Sequence, residues 1–305
     1  MTWQDEIARC ARGEVRRDEP LSARTAIRVG GAADLLVRPS DPDDLVLILR
    51  ACRDLGVPWF VLGGGTNLLV SDRGVRGVVL KLPTGFGAEV IEAPRLVLSA
   101  SAPASRLIAR AQQLGLVGCE FLVAVPGTLG GNVTMNAGTR TGEMKDLVRE
   151  VELATVDGAG FVNAEALAFS YRSARLPPGA VVTRVLFELH EGDVAKSAAA
   201  MRADLERRRA TQPLGQPTFG SAFRNPPNDY AGRLIEAAGL KGYRVGGAMW
   251  SDLHANFVVN LGSASASDVL ALLSIARARV SEQFGISLEP EVRLAGEWAD
   301  DAGLF

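Results

Sequence analysis

Two short glycine-rich stretches carry the first chemical signal in this sequence. Residues 61–70 read VLGGGTNLLV, placing Gly63, Gly64 and Gly65 between two apolar runs, with Thr66 and Asn67 following; residues 125–138 read VPGTLGGNVTMNAG. Glycine loses more conformational freedom on folding than any other residue, so three in succession imply positive φ angles or close approach of the backbone to another group. A phosphate is one such group, because converging N–H donors bind it when no side chain stands in the way. A tight turn is the other reading of the triplet. The stretch is neither a GxxxxGK[ST] phosphate loop nor a GxGxxG fingerprint opening a helix. It runs on into LLVSD, more strand than helix, so any phosphate is held by a loop nest with Thr66 and Asn67, without a helix dipole. Two such loops, each flanked by apolar segments, suit a long, flat cofactor that carries a diphosphate and must be gripped on two sides.

These loops need elements to carry them. After the apolar ADLLVRPS, the segment SDPDDLVLILRACRDLG reads as a helix. Ser40 or Asp41 is its cap, Pro42 lies in its first turn, apolar residues recur at 45, 48, 49, 52 and 55, and Gly56 stops it. VPWFVLGGG follows as a strand. RLVLSASAPASRLIARAQQLGLVG repeats the grammar, with Pro103 near the helix start and Gly115 at its end, so both helices are expected to cover a sheet. From about residue 149 the pattern turns to strands, VREVELATVD, AGFVNAEALAF and AVVTRVLFELHEGD, with VDGAG as the first turn. DVAKSAAAMRADLERRRA then opens a third region, which contains a short helix near YAGRLIEAAG, a strand ANFVVNLG and a long helix SASDVLALLSIARARVSEQFG. Ser265 or Ser267 caps that last helix and Gly285 ends it. The closing ISLEPEVRLAG alternates like a strand.

Composition excludes several function classes. At 305 residues and 47% hydrophobic, the chain can bury a large core divided into two or three domains. A net charge of -2 supplies no global positive field for nucleic acid or an anionic membrane, so an anionic ligand must be held by local charges. Arg207, Arg208 and Arg209 form the only basic run and read as a solvated helix face. Cys10, Cys52 and Cys119 are odd in number and widely spaced, which predicts reduced thiols in a cytoplasmic protein. The N-terminal stretch lacks the apolar centre of a signal peptide, and no segment reaches the roughly 18 apolar residues of a membrane helix. Two histidines, His190 and His254, are too few for a His-rich zinc centre, so no metal is expected.

The two loops, their separation and RVGGAADLLV at 28–37 together resemble the flavin-binding half of the UDP-N-acetylenolpyruvoylglucosamine reductase family. FSYRSAR at 169–175, GSAFRNP at 220–226 and LEPEVRLAG at 288–296 are similar in order and spacing to that family's catalytic segments. The block at 231–260 resembles its substrate-binding region, so the likeness runs from about residue 20 to 296. It implies an α+β protein, with a two-part FAD-binding fold of the vanillyl-alcohol-oxidase/PCMH type and a C-terminal α+β substrate-binding domain. The implied boundaries are 1–83 and 84–190 for the flavin-binding parts and 191–288 for the substrate domain. The strand in 289–305 then returns to the first part.

The resemblance also implies an activity: NADPH reduces non-covalently bound FAD, which then reduces UDP-N-acetylglucosamine enolpyruvate to UDP-N-acetylmuramate. Cofactor contacts are implied for Gly63, Gly64, Gly65, Thr66 and Asn67, and for Pro126, Gly127, Thr128, Gly131, Asn136, Ala137 and Gly138. Arg172 matches the family's catalytic arginine, although Ala174 stands where the YRxS motif has its serine. A guanidinium fork suits a carboxylate that gains enolate charge. Ser221 matches the proton donor and Glu291 the assisting glutamate, with Glu289 close enough on a strand to share its face. Tyr171, Arg224, Asn225 and Lys241 match substrate positions, Arg224 replacing the usual lysine. The segment 173–192 is short and lacks tyrosine, as in the family's shorter type, which has no tyrosine loop to cover the substrate.

Two other readings share these residues. An FAD oxidase of the same fold explains the loops, although no histidine lies in either one to tether a flavin. A non-catalytic nucleotide-sugar sensor explains the pocket but leaves Arg172, Ser221 and Glu291 without a task. Ser221 and His254 do not sit in a GxSxG hydrolase elbow.

Overall fold

In the computed structural model, which describes residues 2–298, the chain crosses several times between two units. The first gathers the residues up to Arg17, Leu35–Gly64 and Gly77–Glu206. The second gathers Asp18–Asp34, Gly65–Arg76 and the chain from Arg207 onward. One crossing falls inside the glycine triplet, between Gly64 and Gly65.

In the first unit, the helix Pro42–Asp54 forms where its local signals place it. Asp41 accepts the Asp44 N–H as N-cap, Pro42 occupies the first turn, and Leu45, Ile48, Leu49 and Cys52 are fully buried. Gly56 ends it with φ +65°. Nearby, Trp59–Val61 pairs in parallel with Val78, Val79 and Leu80. The larger sheet has five strands, in the order Gly158–Asn163, Val148–Thr155, Val181–Glu188, Arg95–Ser99, Val90–Glu92. Its pairings are antiparallel throughout. The second strand–helix–strand unit is therefore no parallel crossover: after the helix Ala104–Gln113 the chain forms only Leu116–Val117, which pairs with His190–Glu191. AGFVNAEALAF also departs from a continuous strand. Asn163 turns its side chain back to the Glu165 N–H and starts a 3-10 turn, Ala164–Leu167.

The second unit is organised around the helix Ala266–Phe284. Ser265 and Asp268 form its capping box, and Gly285 closes it at φ +67°. Asp72 adds a second acceptor at the N-terminus, taking the N–H groups of Ala266 and Ser267 at 2.8 and 2.9 Å. Against this helix lie Trp250, Phe219 and Phe223, all essentially buried, and a three-stranded antiparallel sheet of Arg244–Val245, Ala248–Trp250 and Val258–Asn260. Among the described residues after Gly285, Arg293–Ala295 is the one strand, paired in parallel with Leu68–Val70. Glu289 and Glu291 precede it, so the shared strand face expected for them does not exist. Residues 299–305 of the expected returning segment lie outside the described residues.

The three cysteines are unpaired thiols. Burial pushes those of Cys52 and Cys119 up to about 12, which keeps them protonated and unreactive. No helix among the described residues is long and apolar enough to cross a membrane.

One buried carboxylate ties the N-terminal segment to the helix Pro42–Asp54. Asp44 is fully buried and accepts the N–H groups of Arg12, Gly13 and Ser40 at 2.9, 3.0 and 2.8 Å. Its removal takes the acceptor from three part-buried N–H groups at once, so Asp44→Ala is expected to lower unfolding free energy by about 2 kcal/mol. Asp43→Ala, on the exposed side of the same helical turn, should cost less than about 1 kcal/mol. Urea denaturation of the two variants checks the difference, and equal losses would remove Asp44 from this role.

Candidate active site

Each glycine of the triplet faces something different. A Cβ on Gly64 would stand 2.6 Å from the Gly127 Cα, so the two glycine-rich loops touch main chain to main chain. A Cβ on Gly65 would lie 2.1 Å from the Arg24 carbonyl oxygen, and this residue has φ +65°. Its own carbonyl accepts the Ala26 N–H at 2.9 Å. Gly63 is less confined, facing the Thr128 hydroxyl at 3.1 Å, while its carbonyl accepts from Lys81 Nζ. Part of the demand for glycine thus comes from the protein itself. Among the described residues, the N–H groups of Gly63, Gly64, Gly65 and Thr66 have no protein acceptor. A side-chain-free loop with its donors unspent fits a cofactor diphosphate.

The second loop is not all loop. Leu129–Thr134 forms a short helix, capped by the Thr128 hydroxyl, which accepts the Gly131 N–H at 3.4 Å. Gly130 lies against Ala100, and its N–H donates to the Ala100 carbonyl at 2.8 Å. A Cβ on Gly138 would meet Glu143 and the Gly142 carbonyl, both at 2.7 Å. Ala137 donates to the Asn132 carbonyl and accepts from Met144 N–H. Asn136 is fully buried and spends its amide on three protein groups. Pro126 and Gly127 remain at the tip, with Pro126 exposed.

Arg172 lies in the first unit, at φ +56°, inside a turn closed by two hydrogen bonds between the main chains of Ser170 and Ser173, at 2.9 and 3.2 Å. Its guanidinium sits 5.0 Å from the ring centre of Tyr171, itself exposed.

Ser221 and Glu291 lie in the second unit, on segments that are bonded together. The Glu291 N–H donates to the Ala222 carbonyl at 2.8 Å, and the Asn67 amide donates to the Glu291 carbonyl at 2.9 Å. The Arg293 N–H returns to the Asn67 carbonyl at 3.2 Å. Asn67, from the glycine loop, is thereby fastened to the segment of Glu291 and, one residue on, to that of Ser221. On the other side of Ser221 stands Asn256, a buried residue not singled out from the sequence. It accepts Phe223 N–H at 3.0 Å, donates to the Phe223 carbonyl at 2.8 Å, and offers its own carbonyl to Ala222 N–H. The available signal was a polar residue amid the apolar ANFVVN, where a buried amide needs partners.

The two glutamates differ. Glu289 is 75% exposed in its side chain and lies 3.6 Å from Arg224, whereas Glu291 is half-buried. Burial, reinforced by the Arg224 charge, lowers the pKa of Arg293. Asn225 uses its side-chain carbonyl to accept the Ala231 N–H where the helix Ala231–Ala237 begins. Lys241 pairs with Glu236 at 2.9 Å. His254 is no partner to a nucleophile: its Nδ1 accepts the Asn256 N–H, its ring packs on Phe257, and burial lowers its pKa and favours the neutral form. A cavity of about 420 Å³ also opens in this unit, lined by residues including Arg209, Gln212, Leu214, Gln216, Ser251 and Leu253. Arg224, Asn225 and Lys241 do not line it, whereas Arg209, from the basic run expected to be a solvated helix face, does.

The glycine geometry has a graded consequence. Gly64→Ala drives a methyl group into backbone that cannot rotate away and is expected to weaken FAD binding at least about 10-fold. Gly63→Ala meets only the Thr128 side-chain oxygen, at 3.1 Å, which a shift of that side chain by a few tenths of an ångström relieves, and should cost less than about 3-fold. Flavin fluorescence titration of the two variants distinguishes them, and equal affinities would refute the assigned contact.

Residues 212–295 match the family model of the UDP-N-acetylenolpyruvoylglucosamine reductase C-terminal domain, and residues 33–161 match that of an FAD-binding domain. The flavin fold and separate C-terminal domain expected from the sequence are thus both present. A UDP-N-acetylenolpyruvoylglucosamine reductase of Anaeromyxobacter sp. (strain K) is 66% identical over 301 residues, covering 99% of this chain and 92% of that protein. The Myxococcus xanthus protein of the same name is 53% identical, with 93% of each chain covered. The crystal structure of UDP-N-acetylenolpyruvylglucosamine reductase from Thermus caldophilus superposes with a TM-score of 0.79 at 39% identity, covering 93% of this chain and 99% of that one. The chain belongs to the UDP-N-acetylenolpyruvoylglucosamine reductase family.

Proposed function

We infer that the protein is an FAD-dependent oxidoreductase that uses NADPH to reduce UDP-N-acetylglucosamine enolpyruvate to UDP-N-acetylmuramate, a step of peptidoglycan precursor synthesis in the cytoplasm. The observation that carries this reading is the hydrogen-bonded thread from Asn67 through Glu291 to Ala222. It joins a residue of the first glycine-rich loop to the two segments that bear the serine and the glutamate. Bound FAD supplies hydride for the enolpyruvyl methylene carbon. We assign residues 1–83 and 84–190 to holding the flavin, 191–288 to the substrate, and the C-terminal strand to the first of these regions.

Reduction of the methylene leaves enolate charge on the neighbouring carbon and its carboxylate. Arg172 is assigned that carboxylate, since a guanidinium fork matches its two oxygens and gains strength as charge accumulates. Ser221 is assigned the proton delivered to the carbon. A hydroxyl is a weak acid, so it must be held rigidly and its alkoxide neutralised rapidly. The main chain beside it is fixed by Asn256 and by Glu291, which supplies the rigidity. Glu291 is favoured over Glu289 as the assisting carboxylate because Glu289 is exposed and paired with Arg224. Arg224, Asn225, Lys241 and Tyr171 are assigned to the nucleotide-sugar, with Lys241 exchanging Glu236 for a phosphate.

An anaerobic visible spectrum tests the reading. The flavin band should bleach with NADPH and return with UDP-N-acetylglucosamine enolpyruvate; recovery with oxygen alone would favour an oxidase. In Ser221→Ala, bleaching by NADPH should persist while reoxidation by the substrate slows at least about 100-fold. Parent-like reoxidation would remove Ser221 from proton delivery. Lys241→Ala should raise KM for the nucleotide-sugar about 10-fold with little change in kcat, and a large loss of flavin reduction instead would overturn its assignment.

A further inference from the structure

The second glycine-rich loop and the turn bearing Arg172 are one hydrogen-bonded body, and a buried amide is the joint. Asn136 is fully buried and has φ +41°. Its Nδ2 donates to Glu143 Oε2 and to the Ser170 carbonyl, both at 2.9 Å, and its Oδ1 accepts the Lys145 N–H at 3.0 Å. The acceptors on one side and the donor on the other fix the amide orientation. Ser170 is the first residue of the turn that encloses Tyr171 and Arg172. The exit of that turn is held by the same loop, because Ala174 N–H donates to the Thr134 carbonyl at 3.2 Å. Arg172 itself occupies the left-handed region, which a residue with a Cβ rarely adopts unless its surroundings hold it there.

Glu143 completes the arrangement. Besides accepting from Asn136, it pairs with Lys145 at 3.0 Å. Burial opposes its ionised form, but hydrogen bonds from Lys145 and Asn136 and the positive fields of Lys145 and Arg172 hold its carboxyl below the usual range. It therefore carries a negative charge, bonded to Asn136 and within the field of Arg172.

We propose that Asn136, with Glu143, is a positioning residue for Arg172, so that the cofactor loop and the arginine that receives the substrate carboxylate are set as a single unit. This replaces the direct cofactor contact implied for Asn136 by the family likeness, and it rests on the function proposed above. A guanidinium contributes to the reaction only if it already stands where charge develops, and a displacement of about 1 Å costs on the order of 100-fold in rate. Asn136 touches neither substrate nor reacting atoms in this scheme; it acts through Ser170 and the turn.

A mutant cycle on the FAD-loaded, full-length protein tests this, using Asn136→Ala, Arg172→Ala and the double variant. Three quantities are read: FAD affinity by fluorescence titration, bleaching by NADPH, and reoxidation by UDP-N-acetylglucosamine enolpyruvate. Asn136→Ala should leave the first two within about 3-fold and slow reoxidation about 50-fold or more. In the Arg172→Ala background the same substitution should change reoxidation less than about 2-fold. Multiplicative losses in the two backgrounds, or lost FAD affinity with a parent-like reoxidation rate in the loaded fraction, would overturn the proposal. Should Asn136→Ala fail to fold, Glu143→Gln keeps an acceptor for Asn136 and removes only the charge. It should slow reoxidation about 5-fold with Arg172 present and not at all without it. No effect, or equal slowing in both backgrounds, would count against the clamp. A parent protein that ignores the enolpyruvyl nucleotide refutes the underlying function, whereas a responsive parent with losses independent of Arg172 refutes only the role of Asn136.

Discussion

Backbone packed directly on backbone is the constraint from which the flavin half of this protein follows. Gly64 and Gly127 meet with no side chain between them, and that contact brings together loops from sequence segments about sixty residues apart. A side chain on Gly64 would force them apart. Around the contact the structure divides the work. Among the described residues the N–H groups of Gly63 to Thr66 have no protein acceptor, while the short helix Leu129–Thr134, with Gly130 against Ala100, ties the second loop down. A cradle of this kind must be rigid through contacts other than those it offers its ligand.

The second unit achieves rigidity by another route, through side-chain amides that bond to main chain. Asn67, half-buried, and Asn256, fully buried, each grip neighbouring strands and turns. Buried amides are costly unless every polar atom is satisfied, and where they are satisfied they define one register and exclude its neighbours. The Ser221 segment is accordingly held on two sides without any bond having to be made by the Ser221 side chain itself.

Local signals were legible in the sequence and long-range ones were not. Asp41, Pro42 and Gly56 announce their helix because capping and φ preferences act within a few residues. Ser265 and Gly285 do the same for the helix Ala266–Phe284. The antiparallel order around Val181–Glu188 involves pairings across most of a domain, and hydrophobic alternation is blind to them. The helix Leu129–Thr134 was hidden by its glycines, and it forms because Thr128 caps it and Ala100 lies against Gly130. At the site, the motifs carrying Arg172, Ser221 and Glu291 were readable by their likeness to a family. Glu143 was not, because nothing within its own segment signals that the Asn136 amide will donate to it. The proposed preference for Glu291 over Glu289 likewise rests on the Arg224 ion pair, which alternation along a supposed strand could not supply.

The glycine contact also bears on how such a chain can change over generations. Every single-base substitution in a glycine codon that alters the amino acid adds a Cβ or ends the chain; none leads to a residue with equal room. At Gly64 the added atom meets a main-chain carbon, and at Gly65 a main-chain carbonyl oxygen. Drift through near-neutral intermediates is therefore closed at these positions. A lineage can remodel the loops around Gly64 and Gly65 only by moving the facing backbone in the same step, a restriction that Gly63, with a side chain opposite it, escapes.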